Sequence, residues 1–218
     1  MWDNGDGMKI FYLDRTDNDF AGNVEFKPRL VDESAWYHIH AVYDSPNANS
    51  DDRFRLYLNG IRCEIERSSS RGYVVIPQNK ESWMMYNGGI QSVGSDWLSA
   101  GRTATGYYSE LHFIDGQALG PEHFALTDSS GVYNPIRYTG TYGNNGFYLP
   151  FDYPENQIGK DMSGNDNNFT ADSITANNIV SDTPSNNYCT LNPLATSKYP
   201  GSYDSGNLRF LPTQGQYT

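Results

Sequence analysis

Residues 53–66 read RFRLYLNGIRCEIE, and this stretch decides the fold class. Phe54, Leu56 and Leu58 alternate with Arg53, Arg55 and Tyr57, which is the period of a strand with one apolar face. Asn59-Gly60 follows, and these are the two residues a type I′ turn prefers because both must take positive φ. Ile61, Cys63 and Ile65 then alternate with Arg62, Glu64 and Glu66. The spacing predicts a β-hairpin over 53–66.

The same period runs outward from it. Residues 8–14 (MKIFYLD), 36–43 (WYHIHAVY), 73–76 (stopped by Pro77), 90–94, 107–115 (YYSELHFID) and 146–151 (GFYLPF) read as strands. They are separated by Gly- and Asn-rich turns. The one helical signal is Gly120-Pro121-Glu122 before His-Phe-Ala-Leu, with Pro at the first helical position. Many short strands with little helix predict an all-β fold, an antiparallel sandwich or jelly roll. From residue 153 the chain turns rich in Asn, Ser, Thr, Asp and Pro. Two segments are therefore expected: a sandwich over 1–152 and a loop-rich extension over 153–218, an extended arm or linker.

Composition excludes several classes. The chain has 218 residues and a formal net charge of −11, with 14% aromatic and 19% charged residues. That aromatic content at so low a charge argues against a disordered chain. The acidic balance argues against nucleic acid as a partner. No apolar run is long enough for a membrane-spanning helix, and the start has no signal-peptide character. Cys63 and Cys189 are too far apart to pair as metal ligands, and two unpaired buried thiols are expected.

With these elements placed, a family resemblance enters. Trp36-Tyr37-His38-Ile39, then FRLYLNG at 54–60, then GYYSELHFIDGQAL at 106–119 resemble the strand order of concanavalin A-like, laminin-G-like jelly rolls. The strings ELHFIDGQAL (110–119), FALTD (124–128), YTGTYGNNGFYLPF (138–151), GKDMSGNDNNFT (159–170), SDTPSNNYCTLNPL (181–194) and GNLRF (206–210) are similar to a stretch of tail-fibre-like virion proteins of marine and cyanobacterial bacteriophages. The resemblance covers roughly residues 34–210. It implies a virion component located on the extracellular particle. Its partners would be other virion chains, further copies of itself and host-surface polysaccharide. Larger members carry further strands before the equivalent of Met8, so exposed edge strands would be covered by a neighbouring chain.

Three groups of residues are candidate sites. Trp83, Tyr86 and Trp97, with Asn87 and Asp96, form an aromatic-amide set that continues to Tyr107 and Tyr108. Trp97 is the ring expected to be exposed, and the alternative is that these aromatics fill a sandwich core or a protomer interface. Aromatic rings cover the apolar face of a sugar while amides and carboxylates take its hydroxyls. Asp161, Ser163, Asn165 and Asn167 recur at every second position, with Asp172 at the twelfth. Such oxygen ligands suit a structural Ca²⁺, although Asp166 stands where an EF-hand needs Gly. The alternative there is an Asx-rich turn bonding its own backbone. His38 and His40 share a strand face, as zinc ligands could, but surface or packed histidines are the simpler reading.

Catalytic patterns are weak. Glu110, His112 and Asp115 stand out of register for the carboxylates of a glycoside hydrolase, and Glu64 and Glu66 read as a solvated face. The expected function is therefore non-catalytic, with no required cofactor: a virion protein, tail fibre or outer decoration, attaching to host glycans. The alternatives are a purely structural virion assembly protein and a depolymerase on the same fold.

Overall fold

The computed structural model describes residues 8–15, 20–32, 35–67, 72–82, 91–94, 106–152, 154, 156–185, 201–204 and 209–212. The protein is all-β. Eleven strands are described: β1 (Met8–Arg15), β2 (Phe20–Leu30), β3 (Ile39–Tyr43), β4 (Phe54–Leu58), β5 (Ile61–Arg62), β6 (Leu111–Phe113), β7 (Ala125–Thr127), β8 (Tyr133–Pro135), β9 (Phe147–Leu149), β10 (Gly201–Asp204) and β11 (Arg209–Pro212). Among the described residues the helical content is confined to short 3₁₀ turns, one of them at Pro121–His123 where the Gly-Pro-Glu signal lies. The strands form five small antiparallel sheets: β1-β2, β3-β4-β5, β6-β9, β7-β8 and β10-β11.

The chain divides into two compact units, residues 1–105 with 117–139, and residues 106–116 with 140–218. The boundary expected at 152/153 falls inside the second unit. Neither unit is a continuous segment, since the chain passes between them more than once.

In the first unit the 53–66 hairpin forms as its sequence predicts. Leu58 pairs with Ile61 and Tyr57 with Arg62, and Asn59 and Gly60 take φ of 48° and 78°. Phe54 and Leu56 are buried. They pack with Val24, Phe26, Cys63 and Ile76 into the core of this unit, flanked by Tyr43, Leu58, Ile65 and Tyr73. Ile61 departs from the expected face pattern and is 74% exposed, because it sits beside the turn, beyond the end of this core. Cys63 is a free, buried thiol. Cys189 lies outside the described residues.

The second strand of the hairpin serves two sheets. Its first part bonds β4, with Cys63 N–H donating to Leu56 O at 2.8 Å. Its continuation bonds β2: Lys27 N–H donates to Glu64 O at 3.0 Å, and Glu66 N–H to Glu25 O at 2.7 Å. A strand that changes partner in this way turns a corner between two sheets and encloses apolar side chains between them. Phe26 from one sheet meets Phe54 from the other at 5.9 Å between ring centres.

β2 is not among the strands expected from the sequence, although Val24 and Phe26 alternate there with Asn23, Glu25 and Lys27. Residues 22–26 are all buried. β1 pairs along one edge, and bridges at Ile65 and Val74 occupy the other. Asn23 and Glu25 are buried with Val24 and Phe26, so both faces of this part of the strand are out of water. Pro28 is tolerated because it lies where the β1–β2 register shifts, a place where a missing N–H does not break the ladder. Residues 73–76 contribute only the bridge at Val74.

The opposite face of β3-β4-β5 carries Val42, His40, Arg55 and Tyr57, since opposed residues share a face. The 117–139 segment covers it. Phe124 stacks near His40, 5.3 Å between ring centres, and the Tyr133 hydroxyl meets His38 Nδ1 at 3.3 Å. Tyr133 also lies directly over Gly60, where an added Cβ would approach Cε2 of its ring to 2.8 Å.

Two glycines at similar φ separate strain from crowding. Gly131 has φ +83° and open space around it, whereas Gly60 has φ +78° under the Tyr133 ring. Gly131→Ala is expected to cost about 1 kcal/mol from backbone strain alone. Gly60→Ala is expected to cost about 2 to 4 kcal/mol, because the ring must also move. Urea unfolding of the two variants beside the parent chain measures the difference, and equal losses would remove the crowding argument.

Candidate functional site

The second unit holds the residues the sequence marked at 107–115 and 161–172. β6 and β9 pair in register, Leu111 with Leu149, His112 with Tyr148 and Phe113 with Phe147. Phe147 and Leu149 turn inward and are buried, and Phe169 meets Phe147 edge-on at 4.8 Å. His112 and Tyr148 occupy the other side of the pair. Their rings stack at 4.3 Å with planes 5° apart, and the Tyr142 hydroxyl lies 2.9 Å from His112 Nδ1.

Asp161 is buried, at 5% exposure, and organises the Asn-rich loop. Its Oδ1 accepts from Tyr148 N–H at 2.9 Å and Ser163 N–H at 2.8 Å. Its Oδ2 accepts from the Ser163 hydroxyl and from Asn167 N–H, each at 2.9 Å. Four donors fill the acceptor capacity of one carboxylate. The Asn165 side-chain amide donates to the carbonyls of Gly143 and Gly146, and that of Asn167 to those of Asn144 and Gly146. Asp115 closes the same turn by accepting from Asn145 N–H and Nδ2. The two Asn-rich strings of the sequence, GTYGNNG and SGNDNN, are thus the two halves of one backbone-binding network. A cation at Asp161 would have to replace donors already in place. Asp172 stands apart and accepts from the Ser173 hydroxyl. No group of three or more His, Cys, Asp or Glu placed to hold a metal occurs among the described residues.

Trp83, Tyr86, Asn87, Asp96 and Trp97 lie outside the described residues. Tyr107 and Tyr108 lie within them, in the irregular segment before β6, and are 51% and 48% exposed. Glu110 follows at φ 55°, an unusual backbone for a non-glycine residue. Partial burial, and next the charge of Asp152, push its carboxyl above the ordinary range. No protein group hydrogen-bonds the side chains of these three residues among the described residues. This group was only partly legible: the tyrosines stood out as part of an aromatic stretch, but nothing in the sequence settled their exposure or marked the backbone of Glu110. A shallow depression of about 400 Å³ nearby in the sequence, lined by Asn156, Gly159, Phe169, Thr170, Ala171 and Ile174, contains no ionisable group.

His38 and His40 are packed side chains. Their rings lie 6.3 Å apart, His40 Nε2 is 3.0 Å from Leu119 O, and Phe124, Tyr57 and Tyr133 surround them. Glu64 is exposed and pairs with Lys27 at 2.6 Å, as a solvated face should.

Comparison with known proteins returned no match: no family model, no curated protein and no solved structure is similar to this chain.

Two pH responses follow. Burial alone would raise the Asp161 carboxyl, but the donors from Tyr148, Ser163 and Asn167 outweigh it and hold it below the usual range. Its contribution is therefore present above the unfolded carboxylate value, about 4, and is lost as pH falls through the lower folded value. Asp161→Asn is expected to cost about 1 to 3 kcal/mol near neutrality, and the deficit should shrink in acid. Urea unfolding at neutral and acid pH checks it; a deficit independent of pH would show that charge is not involved.

Burial pushes both His38 and His40 down. The nearby charge of His40 adds to this at His38, while Leu119 O and Glu122 oppose it at His40. Neutral imidazoles are thus favoured by folding. Stability is full above about pH 6.5 and falls as pH drops through the folded values. Thermal melting of the parent and of His40→Gln across this range is expected to show a shallower acid loss in the variant.

Proposed function

We propose that this chain is a non-catalytic, lectin-like part of a bacteriophage virion protein, a tail fibre or outer decoration, that attaches to host-surface polysaccharide. Its strands would belong to a concanavalin A-like, laminin-G-like jelly roll with a C-terminal arm. The observation that carries this reading is the pair Tyr107 and Tyr108, about half exposed in the same short segment as Glu110, whose carboxyl has no hydrogen-bond partner among the described residues. Rings with an apolar body and a polar tip, next to a hydrogen-bond acceptor, suit sugar contact. The virion assignment rests on the sequence strings quoted above, and the net charge of −11 suits an exposed particle component. Single sugar contacts are weak, and repetition over several protomers raises the total by effective concentration.

A second reading, a structural virion protein, is favoured by a different surface. Ile39, Leu58 and Ile61 stand in register across β3, β4 and β5. Ile39 is 46% and Ile61 74% exposed. An apolar row of this kind fits contact with a neighbouring chain.

Binding of the purified, folded chain to host cells and to their extracted polysaccharide tests the proposal. The expected result is saturable binding, roughly millimolar per site, with no reducing sugar released. Absence of binding to either would sink the attachment reading in favour of the structural one. Release of reducing sugar would move the chain to the depolymerases.

A further inference from the structure

We infer that Tyr107, Tyr108 and Glu110 form the sugar-contacting ridge of the second unit and that its ligand is a neutral polysaccharide rather than a uronate, sulfated or phosphorylated one. This rests on the attachment reading above and deepens it by naming the site and the ligand class.

The ridge is built from three observations. Tyr107 and Tyr108 are consecutive in the irregular segment that leads into β6. Both are about half exposed, so solvent reaches both rings. Two neighbouring exposed rings offer apolar faces that a sugar chain can lie against. The phenol hydroxyls and the Glu110 carboxyl make no hydrogen bond to protein among the described residues. They are donors and acceptors that a ligand can use.

Glu110 concentrates three unfavourable features. It holds a left-handed backbone at φ 55°, it is partly desolvated, and it faces the like charge of Asp152. Strain and unpaired charge gathered at one residue mark a site kept for function rather than stability. A carboxylate beside aromatic rings accepts hydrogen bonds from sugar hydroxyls, and such charge-assisted bonds are the stronger kind.

Charge decides the ligand class. The second unit has nine acidic residues against three basic ones. Glu110, Asp115 and Asp152 lie on or next to the β6-β9 pair. A polyanionic chain approaching this segment meets repulsion with no basic partner along it, as like charges at close range cost affinity. A neutral hexose polymer meets none, and its hydroxyls suit the carboxyl.

The test uses the full chain and matched polymers: dextran, mannan and galactan against dextran sulfate and polygalacturonate, by affinity electrophoresis and calorimetry. At least one neutral polymer is expected to bind and neither anionic one. Tyr107→Ala and Tyr108→Ala are each expected to weaken binding about threefold to tenfold, with melting temperature unchanged. Glu110→Gln is expected to weaken binding about tenfold while raising the melting temperature at neutral pH, since it removes the repulsion from Asp152. A residue with a purely structural role would not separate the two readouts in this way. Neutral-polymer binding unaffected by all three substitutions would overturn the site and leave the attachment reading standing. Binding of only the anionic polymers would overturn the ligand class. No binding of any polymer by the folded chain would overturn the inference, and if host polysaccharide is also not bound, the attachment reading falls with it.

Discussion

The change of partner along residues 61–66 is the constraint on which the first unit depends. One short strand bonds β4 through Cys63 and then β2 through Glu64 and Glu66. The backbone cannot serve both sheets without turning a corner, and the turn brings Phe26 and Val24 over Phe54 and Leu56. The core is small, so the direction of this strand decides which apolar groups leave water. The I′ turn at Asn59-Gly60 sets where the strand begins, and therefore its register against both partners. Asn59 reinforces it by exchanging hydrogen bonds with His38 through its backbone N–H and its Oδ1.

The sheet this hairpin belongs to is covered on both faces, by different chemistry. One face meets apolar side chains from β2 and Ile76. The other meets rings and hydrogen bonds from the 117–139 segment: Phe124, Tyr133 and the Leu119 carbonyl against His38 and His40. Imidazole suits this second face because it packs as a flat apolar body and still satisfies a polar atom. Its cost is that the packing favours the neutral form.

The second unit holds itself together in another way. Among the described residues its buried apolar side chains are few, Phe147, Leu149 and Ile158, with Phe169 set edge-on against Phe147. Side chain to backbone hydrogen bonds take over much of the work. Asp161, Asn165 and Asn167 bind backbone groups from residues 143–148, so a loop-rich stretch is ordered without a core of its own. Oxygen-bearing residues in such a pattern look from the sequence like cation ligands, and in the structure the peptide N–H groups occupy them instead. Tyr107, Tyr108 and Glu110 stand outside this network, and this sets them apart from the rest of the unit.

Period-2 alternation, the Asn-Gly turn and the scarcity of helix signals were enough by themselves to determine an all-β chain, the 53–66 hairpin and the shared face of His38, His40 and Val42. These are local properties, since side-chain alternation and turn dihedrals depend on adjacent residues. β2 carries the alternation in Asn23-Val24-Glu25-Phe26-Lys27, and only the tertiary structure decided that Asn23 and Glu25 are buried along with Val24 and Phe26. Ile61 looked like a core residue because its pattern is right, but the core ends before it. The sequence could name Asp161 as a hub without saying what it binds. Tertiary structure alone decided that, because the donors from Tyr148 and the carbonyls held by Asn165 and Asn167 come from residues far along the chain. It also decided that the chain passes back and forth between two units, since contacts between distant segments, and not composition, define where each unit begins.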